Sequence, residues 1–77
     1  MKIQLESTSK IVTLVINGVD VPARIWEGHS EDGVSCHAYI VRLGVKVEDD
    51  QTAFERELLA QKAPTPAVQA IPLRMVL

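Results

Sequence analysis

The chain has 77 residues and a mass of 8.5 kDa, with 47% apolar and 23% charged residues, a net charge of −2 and a pI near 5.5. That mixture is far from the low-hydrophobicity, high-charge compositions of disordered chains, and its acidic balance argues against a general nucleic-acid binder, whose affinity rests on Lys and Arg neutralising phosphates. One cysteine, Cys36, excludes an intrachain disulfide, no apolar run is long enough to span a bilayer, and the length fits one domain over residues 1–77 with a thin core that self-association would support.

In chain order, Met-Lys-Ile-Gln-Leu-Glu lacks the apolar core of a signal peptide, so a cytosolic protein is expected, and Ile3 and Leu5 alternate as in a strand. Ser7-Thr8-Ser9-Lys10 has hydroxyls and a lysine but not the preceding glycines of a phosphate-cradling loop, and it reads as a bulge or loop. Asn17-Gly18 then stands between two apolar-rich runs and supplies the two positive φ values of a type I′ turn. The turn sets Ile16 opposite Val19, Leu14 opposite Val21, Val12 opposite Ala23 and Lys10 opposite Ile25. One face therefore collects Val12, Leu14, Ile16, Val19, Val21, Ala23 and Ile25, and a one-residue slip would scatter them.

Ser30-Glu31-Asp32-Gly33 reads as a type I turn with Gly33 left-handed, closing a second hairpin that pairs Gly28 with Cys36, Trp26 with Ala38, Ile25 with Tyr39 and Ala23 with Val41. His37, Tyr39, Val41, Leu43 and Val45 then join the face of Val12 and Ile25. Pro22 has no N–H to give the neighbouring strand, so a bulge or separation is expected near Val41 and Arg42, eased by Gly44.

Asp49-Asp50-Gln51-Thr52 offers cap residues for a helix from about Gln51 to Lys62, with Thr52 and Glu55 spaced as a capping box. Its stripe of Phe54, Leu58 and Leu59 is expected to cover Val21, Ile25 and Tyr39. Ala63-Pro64 stops the helix, Thr65-Pro66 opens one short helical turn, and Ala70 to Leu77 alternates as a strand with Pro72 on an edge. The expected fold is α+β, an antiparallel β-meander of three to five strands with one helix on one face, in the order ββ(β)-α-β.

Catalytic signatures are absent from this pattern, and no cofactor is implied. Cys36-His37 with His29 is the one soft-ligand cluster, but alternation points Cys36 and His37 to opposite faces, which disfavours both a zinc site and a Cys–His nucleophile. Glu27, Glu31, Asp32, Glu48, Asp49 and Asp50 read as carboxylates of turns and a helix start. The registers also gather Trp26, Arg24, Ala38, Ile40 and Arg42 on the second face, with Ile11, Val15 and Arg74. Trp and Arg are the residue types most enriched in binding hot spots, and such a face is covered by a chain terminus, by a second copy or by a foreign partner. The binding candidates are therefore Trp26, Arg24, Arg42, Ile40 and Arg74, together with His29 in the loop from Gly28 to Gly33.

The blocks Val21-Pro22-Ala23-Arg24-Ile25-Trp26-Glu27-Gly28, His37-Ala38-Tyr39-Ile40, Phe54-Glu55-Arg56-Glu57-Leu58 and Ala70-Ile71-Pro72-Leu73-Arg74 resemble small uncharacterised proteins encoded in tailed-phage and prophage genomes of proteobacteria. The resemblance spans nearly the whole chain and brings no functional residues with it. It implies a viral protein in the cytoplasm of a bacterial host. Together with the Trp and Arg face, it leads to the expectation of a dimeric, non-enzymatic protein that engages or inhibits a host or phage macromolecule, such as a host-defence component. The alternative is a sponge in which two protomers enclose a nucleotide-like anion.

Overall fold

A computed structural model describes all 77 residues, as a small α+β domain. Three strands come first, β1 (Ile3–Ile16), β2 (Val19–Ser30) and β3 (Ser35–Ile40). Helix α1 (Gln51–Leu58), the single turn α2 (Pro66–Gln69) and strand β4 (Arg74–Val76) follow. The sheet order is β3-β2-β1-β4.

Both hairpin turns form as their residues dictate. Asn17 and Gly18 take φ of 51° and 77°, and Ile16, Leu14 and Val12 pair with Val19, Val21 and Ala23. Gly33 takes φ of 81°, and Gly28, Trp26 and Ile25 pair with Cys36, Ala38 and Tyr39. The β2–β3 ladder ends at Arg24 and Ile40, just short of Pro22, so the strands separate where the missing donor predicts.

The expected antiparallel meander is corrected at β4, which runs parallel to β1, with Thr13, Leu14 and Val15 beside Arg74, Met75 and Val76. The connection through α1 and α2 is long enough for the crossover that parallel pairing requires. The pairing of Lys10 with Ile25 is replaced by a bulge: Ser7 pairs with Trp26 and Ile11 with Arg24, so Thr8, Ser9 and Lys10 stand opposite Ile25 alone. There the Thr8 hydroxyl donates to the Ile25 carbonyl oxygen at 2.6 Å and accepts from the Lys10 N–H at 3.2 Å.

The bulge also decides where the helices go. Helix α1 ends at Leu58 rather than Lys62, because Lys62 pairs with Thr8 along the free edge of β1: Ser9 N–H donates to the Lys62 carbonyl and Lys62 N–H to the Ser7 carbonyl. Its cap is Asp50, whose carboxylate accepts from the Ala53 N–H at 3.0 Å, in place of the Thr52–Glu55 box. Contrary to expectation, α1 does not cover Val21, Ile25 and Tyr39. It buries none of its residues, and Phe54 and Leu58 lie beside Trp26. The core is closed instead by Val68 of α2, packed with Val12, Leu14, Ala23 and Ile25, and bordered by Val21, Ile71 and Met75. Val41 and Leu43, expected on the core face, follow the end of β3 and line the Trp26 side. Ile16 and Val19 share the core-face register but remain exposed at the turn.

Of the ten buried residues, six are apolar and four are Ser7, Thr8, Lys10 and Glu27. Only five of those apolar side chains pack into one core cluster, so hydrogen bonding at the buried polar groups weighs heavily in stability. Thr8→Val preserves shape while leaving the Ile25 carbonyl and Lys10 N–H without that hydroxyl, and it is expected to cost about 2–3 kcal/mol, measured as a lowered urea midpoint. Gly28 faces the Gln4 main chain so closely that any Cβ would collide with the Gln4 carbonyl. Gly28→Ala is therefore expected to destabilise by about 1–3 kcal/mol, seen as a fall in melting temperature.

Candidate functional site

Alternation along β2 and β3 turns Arg24, Trp26, Ala38 and Ile40 toward the face opposite the core, and all four are half-buried. Arg42 and Leu43 continue from β3, while Phe54 and Leu58 approach from α1 at i,i+4 spacing. These side chains and Val41 enclose a cleft of about 210 Å³. Six of its eight lining residues are apolar, a larger share than in the other main surface depressions.

Its two arginines have different surroundings. Arg24 Nη1 donates to the Thr8 carbonyl at 2.8 Å, which ties the guanidinium to the bulge. Arg42 is exposed and belongs to neither ion pair of the chain. Trp26 also borders a second depression with Glu6, Ser7, Glu57 and Lys62. The indole thus stands between a basic, apolar cleft and a rim carrying carboxylates.

Four of the six expected binding residues, Trp26, Arg24, Ile40 and Arg42, meet in this cleft. Arg74 does not join them: it lies on β4 at the other end of the sheet and pairs with Asp20 at 3.2 Å. His29 is exposed near the end of β2, in a polar depression with Lys2, Gln4 and Glu31. Ile11 is half exposed on the cleft face, and Val15 is buried. Phe54 and Leu58 belong to the cleft wall although their spacing read as core cover. Helical periodicity shows that a face is apolar, but not which side of the sheet it meets.

Cys36 and His37 lie on opposite faces. Cys36 is a half-buried free thiol, and exposed His37 places Nε2 3.1 Å from the Tyr39 hydroxyl, with the rings edge-on at 5.3 Å. No three His, Cys, Asp or Glu side chains converge as a ligand set.

Glu27 has a role that its reading as a turn carboxylate misses. It lies within β2, almost fully buried, and Lys62 Nζ approaches its carboxylate at 2.7 Å. Thr65 donates to the same carboxylate through its N–H at 3.2 Å and its hydroxyl at 2.9 Å. Thr65 precedes α2 but makes no side-chain cap, since its hydroxyl is engaged with Glu27. The register contained the signal, because Glu27 continues the inward series Ala23, Ile25. Burial alone would raise the carboxyl pKa, but the hydrogen bonds from Lys62 and Thr65 and the Lys62 charge outweigh it and hold the group below its ordinary 4.5. No family model, curated protein or solved structure matches the chain, so the site is defined by its own geometry.

A carboxyl whose pKa is depressed by folding adds stability that is present above its unfolded pKa and lost as pH falls through the folded value. Denaturation midpoints should therefore drop on acidification below about pH 4.5. Glu27→Gln should lower stability at neutral pH by about 1–3 kcal/mol and flatten that acid dependence. An unchanged acid profile in the variant would assign the dependence to other carboxylates.

Proposed function

We propose that the protein is a small phage-type binding protein of the bacterial cytoplasm, which engages or inhibits a host or phage macromolecule through the Trp26 cleft. One observation carries this reading: Trp26, Arg24, Ile40 and Arg42 share a cleft whose remaining wall, from Val41, Leu43, Phe54 and Leu58, is apolar. The arrangement has the form of a binding hot spot, with an aromatic anchor, apolar surroundings and a charged rim. It suits a protein segment that inserts an apolar side chain and presents a carboxylate to Arg42. The volume of about 210 Å³ is below the roughly 300–1,000 Å³ of small-molecule sites, which favours a protein partner over a nucleotide-like anion held by one protomer. The phage and host setting rests on the sequence resemblance. The binding mode rests on the cleft.

Trp26 is the only tryptophan, so its emission reports directly on occupation of the cleft. A partner recovered from host lysate by the wild-type chain should shift that emission. Its affinity should fall roughly 30-fold with Arg42→Ala and more with Trp26→Ala, as expected for hot-spot truncations of about 2 kcal/mol or more. Arg42 is the better charge probe, because truncating Arg24 also removes its bond to Thr8. Equal capture by folded Trp26→Ala and Arg42→Ala would rule out the cleft as the site. A strong thermal shift with a nucleotide would favour the anion sponge instead, since a ligand at 100 times its Kd adds about 2.7 kcal/mol.

A further inference from the structure

The fold leaves one strand edge open as well as one face. β3 is the outermost strand at one end of the sheet and pairs only with β2. None of the turn, loop or cap hydrogen bonds uses the main chain of Ser35–Ile40. Ser30 N–H donates to the Val34 carbonyl at 2.9 Å, which sets the phase of the ladder. Counting from that pair, Ser35, His37 and Tyr39 turn their N–H and C=O groups outward.

Free edges elsewhere carry the usual protection against pairing. β4 is three residues long and bears Arg74, and the outer part of β1 carries Glu6 and is then covered at Thr8 by Lys62. β3 has no such device. Its sequence Ser-Cys-His-Ala-Tyr-Ile has no Asp, Glu, Lys or Arg, no proline and no bulge. Its flanks are charged with opposite signs: Glu31 and Asp32 are exposed before it, Arg42 and Lys46 after it.

We propose that this edge is a homodimer interface, in which β3 pairs antiparallel with β3 of a second copy about a two-fold axis at Ala38 to form one eight-stranded sheet. Antiparallel pairing sets the acidic flank of each copy against the basic flank of the other, whereas parallel pairing would set like against like. The strand is therefore complementary in charge to itself. A two-fold axis normal to the sheet keeps each side chain on its own face. With the axis at Ala38, His37 meets the partner's Tyr39 through outward N–H and C=O groups, and the smallest side chain of β3 meets its own copy. An axis at His37 would oppose two imidazoles. The pairing deepens the binding reading by placing two Trp26 clefts on one continuous face, but the edge itself does not depend on that reading.

Sedimentation equilibrium of the full chain should give twice 8.5 kDa. Tyr39→Pro removes an outward N–H without a donor to β2 and should yield a monomer with unchanged far-UV circular dichroism. Because proline could unfold the strand, a cross-link provides an independent readout. Ala38→Cys in a Cys36→Ser background should form a disulfide dimer on mild oxidation, since a non-hydrogen-bonded pair about 4.5 Å apart between Cα atoms suits a disulfide. His37→Cys in that background should remain largely a free thiol. A monomer at every concentration overturns the proposal, and so does a dimer that Tyr39→Pro leaves intact and Ala38→Cys fails to link. A monomer that still captures its partner through Trp26 overturns the pairing while leaving the cleft reading standing. A dimer whose Trp26→Ala variant captures as wild type does supports the pairing and removes the cleft reading.

Discussion

The fold depends on the two surplus residues that β1 inserts opposite Ile25. A strand carrying Thr8, Ser9 and Lys10 against a single partner cannot continue its ladder, so its backbone turns and presents bonding groups to the edge. The 60–62 segment takes them up, with Ser7 Oγ donating to the Ala60 carbonyl and the main chain of Lys62 pairing about Thr8. This seam takes the chain around the sheet edge. Before it, α1 lies beside Trp26; after it, α2 seals the core with Val68. The bulge thus settles which helix closes which face.

Glu27 reinforces the same crossing. The strand places a carboxylate inside the core layer, where an unpaired charge would be strongly unfavourable, and Lys62 and Thr65 on either side of the crossing satisfy it. Lys10 makes a similar link, with Nζ donating at 2.7 Å to the Gln69 carbonyl at the end of α2, where a cation complements the helix terminus. With six buried apolar side chains, the domain relies on these polar tethers to fix connections that a larger core would hold by packing.

Which parts of this were legible follows from the range of the interactions. Asn17-Gly18 and Gly33 act over a few residues, so they fix turns and hence the cross-strand pairs through Val12–Ala23 and Trp26–Ala38. Ser7 to Lys10 announced an irregularity by its hydroxyls. How many residues it would insert depends on partners more than fifty positions away, such as Ala60 and Lys62. The error over α1 has the same origin: Phe54 and Leu58 show a one-sided helix, while the side of the sheet it meets is decided by the seam. For the cleft, alternation brought Trp26, Arg24 and Ile40 to one face, whereas Arg42 lies beyond the end of β3, where Val41 and Leu43 line the same cleft and alternation no longer holds. Arg74 does share the face of Trp26, since its parallel pairing sets it beside Thr13 between the core residues Val12 and Leu14, but β4 lies at the far side of the sheet, two strands from the cleft, and strand order is a tertiary fact.

The two arginines show how this scaffold prepares the cleft. Arg24 reaches across from β2 and donates to the Thr8 carbonyl, so the bulge that organises the core also restrains a guanidinium next to Trp26. A side chain already ordered loses less conformational freedom when a partner binds, and it offers the indole a fixed neighbour. Arg42, beyond the end of β3, is exposed and outside the ion pairs, so on the proposed binding reading its guanidinium is open to a partner. One arginine sets the shape of the cleft and the other supplies its free charge. Because the separation of β2 from the chain beyond Ile40 follows from Pro22, the position of that free charge traces back to a proline on the opposite strand.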